Sequence, residues 1–348
     1  MCKSSIVRVW LLFLVVSSLS VISGLSREKS DVIILKNGNT INGEIRRLHR
    51  GLLTVKTDAM GTPDIKWEDV SQISSKFTFI VEDSRGTRYT GTLQPTGEPQ
   101  RLNVVGLHAA SDLRLLSIVE MYEVGGSLWN RLSGSVDLGY SFTKASSRTQ
   151  LNVASEVTYR TKHYEGQFTY DALFSTSNGE KDIDRTVISV GGSYNFVGKW
   201  QLLSKAISEH NLELQLDRRL SFLVAPAYDI LRTNRSSVLL VGGMAFARES
   251  YYNQPIQNNA EGVFGIKAQI FKLYSPKMDV TAGYLVLPNF TTAGRVRMEL
   301  NSNLRFEIFK DFFVSFNFYD SYDNKPPSET ATTNDYGFVT GLSWSFHR

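Results

Sequence analysis

From residue 128 to the C-terminus the chain repeats one pattern. Large apolar side chains take every second position of a stretch, a break follows, and another such stretch begins. A period of two puts the apolar set on one face of a β-strand and the polar set on the other. The segment around 295–307 is the clearest. Val296, Met298, Leu300, Leu304, Phe306 and Ile308 share one face, and Arg295, Arg297, Glu299, Asn301, Asn303, Arg305 and Glu307 share the other. The next sets Phe312, Val314, Phe316 and Phe318 against Phe313, Ser315, Asn317 and Tyr319. In the last, Tyr336, Phe338, Thr340, Leu342, Trp344 and Phe346 alternate with Gly337, Val339, Gly341, Ser343 and Ser345.

Such segments are longer than the five or six residues typical of globular strands. They match the roughly 9 to 11 residues that cross the hydrocarbon of a bilayer at a tilt. The pattern predicts strands at 130–142, 149–161, 164–175, 185–197, 200–216, 219–229, 236–249, 261–272, 277–287, 293–307, 311–322 and 334–347. An even count suits a single-chain barrel with both ends on one side, here an antiparallel transmembrane β-barrel over residues 128–348. A barrel of about twelve strands is too wide for side chains to fill, so the apolar face is assigned to lipid and the polar face to a wet lumen. Candidate lumen residues are Asp137, Glu156, Arg160, Asp171, Arg295, Arg297, Glu299, Arg305 and Glu307. Candidate lipid-facing residues are Leu300, Phe312, Phe316, Phe318, Trp344 and Phe346. Aromatic residues near segment ends (Tyr140, Phe142, Tyr159, Tyr194, Phe196, Tyr228, Tyr251, Tyr284) predict an interfacial girdle. Tight connections are expected at 162–163, 197–199, 273–276 and 309–310, with longer polar loops at 175–184, 252–260 and 323–333. Asp217-Arg218 reads as an unusually short turn, and Pro226 calls for a bulge or a break in the ladder.

Residues 31–122 show a different organisation, an internal echo. Asp31 to Ile45, Leu52 to Lys56 and Asp64 to Ile73 are matched by Phe77 to Leu93, Arg101 to Val105 and Leu115 to Tyr122. Asn37-Gly38 is a hairpin signal of the type I′ kind, and Gly43 and Gly91 fall where small barrels bend sharply. Each half is too short to bury both faces of its own sheet, so the echo predicts two small SH3-like barrels in tandem.

The N-terminus reads as an export signal over residues 1–24. Lys3 and Arg8 precede an apolar run from Trp10 to Ile22, and Ser23-Gly24 offers small residues for cleavage. The single cysteine, Cys2, lies before that run, so the body of the chain has neither a disulfide nor a thiol site. A formal charge of +4, thinly spread, argues against nucleic acid as a partner. No GxSxG, HExxH, CxxC or phosphate-cradling glycine loop occurs, and the expectation is a non-enzymatic protein without cofactor or metal.

Several signatures then fall in order. They are Asn211-Leu-Glu-Leu-Gln-Leu-Asp217-Arg218-Arg219, Ala225-Pro-Ala-Tyr228, Gly294-Arg295-Val-Arg297, Tyr319-Asp320-Ser321-Tyr322-Asp323 with Pro326-Pro327, and Asn334-Asp335-Tyr336-Gly337. In this order and spacing the chain from about 125 to 348 resembles the domain of unknown function 481 family, which includes YdiY-like salt-induced outer-membrane proteins. The front domain looks like the extension that longer members carry. The resemblance implies an exported envelope barrel of the outer membrane and implies no catalytic residue. His347-Arg348 after Phe346 departs from the terminal aromatic common in such barrels. The expected partners are outer-membrane lipid, the barrel-assembly machinery and, through residues 31–122, a periplasmic protein or envelope polymer. Two roles stay open at this point: small-solute passage with adaptation to osmotic stress, and a non-conducting barrel that anchors the front domain. A soluble secreted β protein is the third alternative.

Overall fold

The computed structural model describes residues 29–107, 109–124, 131–143, 148–161, 163–178, 180–272, 277–326 and 332–346. The export segment with Cys2, the connection at 273–276 and the terminal His347-Arg348 lie outside the described residues.

The front domain holds nine strands: β1 (Asp31–Leu35), β2 (Thr40–His49), β3 (Leu52–Lys56), β4 (Asp64–Lys66), β5 (Val70–Asp83), β6 (Arg88–Pro95), β7 (Arg101–Val105), β8 (Ala110–Arg114) and β9 (Ile118–Glu123). The echo is visible in their turns. In each half a tight turn ends in a glycine of positive φ, with Gly38 donating to the Leu35 carbonyl and Gly86 to the Asp83 carbonyl. Asn37 keeps a negative φ, so the first hairpin has a four-residue loop with one left-handed glycine in place of the expected type I′ turn. Gly43 and Gly91 occupy matching crowded sites. A Cβ on Gly43 would lie 2.7 Å from Val55, and one on Gly91 would lie 2.7 Å from the Gly106 nitrogen.

Each half has its own strand order: the start of β5 pairs β1, giving β4-β3-β2-β1-β5, and the end of β5 pairs β6 and β9, giving β8-β7-β6-β5-β9. The halves are joined because β5 runs through both and the bent end of β2 pairs with β9, Leu48 opposite Met121. One apolar core results, running from Ile33 and Ile45 through Phe79 and Leu93 to Met121. The Trp67 indole nitrogen of the first half donates to the Leu115 carbonyl of the second at 2.6 Å. The joined sheet buries both apolar sets together, which suits halves too short to fill a core alone.

The remaining strands form one closed antiparallel barrel in sequence order. They are β10 (Leu132–Thr143), β11 (Arg148–Arg160), β12 (Tyr164–Ser177), β13 (Glu180–Val197), β14 (Trp200–Asn211), β15 (Leu216–Arg232), β16 (Ser236–Tyr251), β17 (Gln257–Lys272), β18 (Met278–Pro288), β19 (Val296–Phe309), β20 (Phe312–Asp323) and β21 (Asn334–Phe346). Closure comes from β10 on β21, with Val136 opposite Trp344. The exterior is an apolar belt. Leu138, Val190, Phe222, Phe246, Phe264 and Leu342 are among its exposed members. That surface is far larger than the apolar patches soluble monomers tolerate, and it fits hydrocarbon. Rings cluster at the strand ends nearest the front domain, as in Tyr164 with Tyr194 and Trp200 with Tyr228, at centroid separations of 5.0 and 4.9 Å. Phe309 with Phe312 and Trp344 with Phe346 continue this girdle.

Two local expectations change, and the break expected at Pro226 is found. Asp217 and Arg218 lie inside β15, and the turn falls at 212–215, where Gln215 takes a positive φ. Pro226 sits in the ladder facing Leu202 of β14, while on the β16 side the pairing skips Ala225 and Pro226 without loss of register. Gly243 lets the strands approach there, since its Cβ would come 2.6 Å from the Ala225 Cα. The loops expected at 175–184 and 252–260 are shorter, because β13 begins at Glu180 and β17 at Gln257.

Two outcomes follow from this architecture. Residues 29–124 expressed alone should melt in a single transition, since one core serves both halves; two separate transitions would contradict the shared core. In the barrel, Leu300→Arg or Phe316→Arg should deplete the membrane-assembled form, because a mid-bilayer charge on the lipid face costs about 2 to 4 kcal/mol. Asn301→Arg, on the opposite face, should assemble like the parent when heat-modifiable mobility is compared.

Candidate functional site

Because strands in register share faces, the barrel ladder fixes which side chains meet inside. Asp137, Ala154 and Asp171 lie side by side across β10, β11 and β12, and Arg305 pairs with Asp279 on one flank and Ser315 on the other. Asp137, Glu156, Arg160, Asp171, Arg297, Glu299, Arg305 and Glu307 all fall on this inner face. Arg295 precedes β19 and is buried at 1 % exposure. The opposite parity carries Leu300, Phe312, Phe316, Phe318, Trp344 and Phe346, of which Phe312 and Trp344 are the most exposed. The inner residues do not form one site. They spread over the two ends of the barrel and the middle of its lumen.

At the end remote from the front domain the lumen is crossed by an interlocked set of charges. Arg219 donates to Glu249 at 2.7 Å, to Glu209 at 2.8 Å and to the Tyr251 hydroxyl at 3.1 Å. Arg295 reaches the other Glu249 oxygen at 2.9 Å and binds Asp323 through two nitrogens, at 3.0 and 2.6 Å. Arg297 makes a two-pronged pair with Glu261 at 2.9 and 2.7 Å and touches Glu299 at 3.3 Å. Glu249 and Glu261 have no exposed surface. Fork-to-carboxylate geometry of this kind is what lets arginines and carboxylates survive burial. Tyr251 belongs here, 4 % exposed between Arg219 and Arg295, and is not part of the girdle to which its place at a segment end had pointed.

At the other end the front domain covers the mouth. Its Glu82 and Glu120 are opposite one another on β5 and β9. Arg160 of β11 donates to Glu120 at 2.7 Å and to Glu165 at 2.7 Å. Arg232 at the end of β15 contacts Glu82 at 2.7 Å and Glu120 at 3.2 Å. Further along the rim, Arg50 bonds Asp279 at 2.9 Å and lies over the Phe271 ring, and Asn234 donates to the Ile118 carbonyl at 2.9 Å. Gly86 packs so closely on the Gly198 turn that no side chain would fit. Of the residues singled out from sequence, only Arg160 takes part in this contact with the front domain. Glu82, Glu120, His49, Arg50 and Arg232 were missed. A signal was present, because Ile80-Val81-Glu82 and Ile118-Val119-Glu120 put a carboxylate after an apolar pair in two strands of the second half.

His49 sits in the middle of this contact, its Nδ1 3.2 Å from Glu120 and 3.3 Å from an Arg160 nitrogen. Arginine only donates and an ionised carboxylate only accepts, so Nδ1 bonds one of the two at a time, Glu120 when it carries the proton and Arg160 when it does not. Burial lowers its pKa to about 3, with the Arg160 and Arg50 charges adding to the effect against the Glu120 hydrogen bond. Burial also opposes the charge on Glu120, but Arg160, His49 and Arg232 together hold its carboxyl below the usual range. Burial pushes Glu82 the other way, upward, against the pull of Arg232.

A depressed histidine means that the unfolded chain takes up a proton which the docked state refuses. The His49 contribution is therefore complete above about pH 6.5 and is lost as pH falls toward about 3, at up to about 1.4 kcal/mol per pH unit. Thermal melts across that window should show a steeper decline for the parent than for His49→Gln. Equal slopes would remove His49 from the linkage.

Comparison with known proteins adds the family. No curated protein matches the chain. Among solved structures, the NanC porin is similar at 8% identity over 61% of this chain and 100% of that one, with a TM-score of 0.39. The translocator domain of the autotransporter NalP from Neisseria meningitidis is similar at 12% identity over 61% and 86%, with a TM-score of 0.33. A bacterial polysaccharide outer membrane secretin is similar at 7% identity over 62% and 97%, with a TM-score of 0.34. Similarities this faint carry no inference about activity. Residues 136–346, more than half of the chain, match the family described as "Protein of unknown function, DUF481", and the protein belongs to that family.

Proposed function

We propose that this protein is an outer-membrane barrel, closed at rest, whose task is to hold its front domain against the periplasmic mouth. The observation that carries this reading is the burial of ionic contacts at both ends. The Arg219–Glu249–Arg295–Asp323 chain crosses the outer end, and Arg160 and Arg232 bind Glu120 and Glu82 at the inner end. A general porin needs neither a covered mouth nor a dry cross-brace. The outer-membrane location is supported by the apolar exterior over a charged interior. The periplasmic position of the front domain is supported by its place beside the tight strand connections, the side on which such barrels carry their short turns.

The front domain is read here as a fused pair of SH3-like units with its outer surface free for a periplasmic protein or envelope polymer. Solute passage is the second reading, favoured by the polar middle of the lumen, where Glu156 and Asn301 are exposed. In that case the front domain acts as a plug, and release under osmotic stress opens the pore. The salt-induced character implied by the YdiY-like resemblance belongs with this second reading. Neither reading includes an enzymatic step.

Planar-bilayer recordings separate the two. The full mature chain, and the chain lacking residues 31–122, should both give no channel steps, because the outer cross-brace persists in each. Steps from the full chain would overturn the closed-barrel reading. Steps only after truncation would establish the plug.

A further inference from the structure

The exterior of the barrel is uneven in one place. Across β13 to β17 two rows of outward residues frame a groove of about 630 Å³. One row, read in register, is Ile188, Ser208, Leu220, Arg248 and Asn258. The other is Val190, Ala206, Phe222, Phe246 and Ala260. The trough arises because Ala206 and Ser208 are small where their neighbours on β13 and β15 are large. The rows also descend. Asn258 is at the remote end of β17 and Arg248 close to the remote end of β16, whereas Ile188 and Val190 lie midway along β13. The groove is thus polar at its outer end and apolar where it runs toward the middle of the barrel wall.

Two arginines stand at the polar end. Arg218 pairs with Ser250 and Arg248 with Leu220, which makes the two guanidinium groups diagonal neighbours on the exterior. Both are exposed, and among the described residues neither has an ion pair. Every buried arginine of the far-end network has its carboxylate, and on the exterior at the same end Asp184 faces His210 at 4.0 Å, so a like-charged couple without an ion pair among the described residues is an exception. Exposed to a bilayer, it is unfavourable unless an anion lies against it.

We infer that this face binds one phosphorylated lipid of the outer leaflet, with an acyl chain in the groove and its phosphate between Arg218 and Arg248. The inference rests on the outer-membrane reading above. Arginine forks suit phosphate oxygens, and the trough has the shape and polarity gradient of a lipid seen from the side.

The test uses the full mature chain, delipidated in dodecyl maltoside and examined by native mass spectrometry. It is titrated with dipalmitoyl phosphatidic acid and, separately, with dipalmitoyl phosphatidylcholine. The parent should retain the phosphatidic acid about tenfold more tightly, the scale of one or two charge-assisted contacts. Arg218→Gln with Arg248→Gln should erase that preference, and Ala206→Leu, which fills the trough, should weaken both lipids. Equal retention of the two lipids by the parent, or a preference that survives the double substitution, would overturn the site. Inorganic phosphate that displaces the lipid completely would also overturn it, since the groove would then contribute nothing. Fractionation keeps the two readings apart. Recovery of the parent in a salt-washed soluble fraction would reject the membrane reading itself, whereas a membrane-embedded chain without lipid preference would reject only the groove.

Discussion

Everything in the C-terminal part of this molecule depends on keeping an unbroken period of two around a closed ladder. A strand that slipped by one residue would carry Arg297, Glu299 and Arg305 to the exterior and Leu300 and Phe306 to the lumen. In lipid such a slip has no cheap remedy, since neither water nor a free edge can satisfy what is displaced. Closure of β10 on β21 removes the edge, and twelve registers then constrain one another. Pro226 shows how little deviation is tolerated. The β16 side loses pairs at one step, a glycine opposite absorbs the approach, and the register resumes unchanged.

The same alternation creates a second demand. A barrel of this width puts its polar faces inside, and wherever the interior is narrow or covered those charges lose water. Desolvation of an arginine or carboxylate costs several kcal/mol unless its partner is close and well oriented. This accounts for where the forked pairs occur. At the remote end Arg219, Arg295 and Arg297 each meet at least two acceptors. In the middle of the lumen Glu156 is exposed and Gln167 is enough to satisfy it, at 2.8 Å.

Much of the barrel could be read from the sequence because each strand announces its two faces locally. Strand positions 132–143 through 334–346 agree with the periodicity to within a few residues along most of the chain. Misreadings arose where a local signal competes with the ladder. Asp217-Arg218 has the composition of a turn, yet Arg219 must reach Glu209 and Glu249, and that draws both residues into β15. Tyr251 has the composition of a girdle residue, but its parity points it inward. The front domain was legible as an echo, and the joining of its halves was not. That joining is decided by pairs such as Leu48 with Met121, more than seventy positions apart, and by the volume available for one core. The contact with the barrel was missed for the same reason, since nothing local ties Glu120 to Arg160 or Arg232.

That contact has a further consequence for how the two parts recognise each other. Glu82 and Glu120 face each other across adjacent strands, an arrangement that disfavours the isolated front domain. Arg88 meets Glu82 at 2.8 Å inside the front domain, and Glu165 and Asp229 meet Arg160 and Arg232 at 2.7 and 3.4 Å inside the barrel, so docking adds further partners to charges that are already partly paired. A displaced or rotated front domain would bury the arginines without Glu82 and Glu120, and the loss is large for a buried pair that is half broken. The rim thus selects one docked orientation more by penalising the alternatives than by the net strength of its ion pairs.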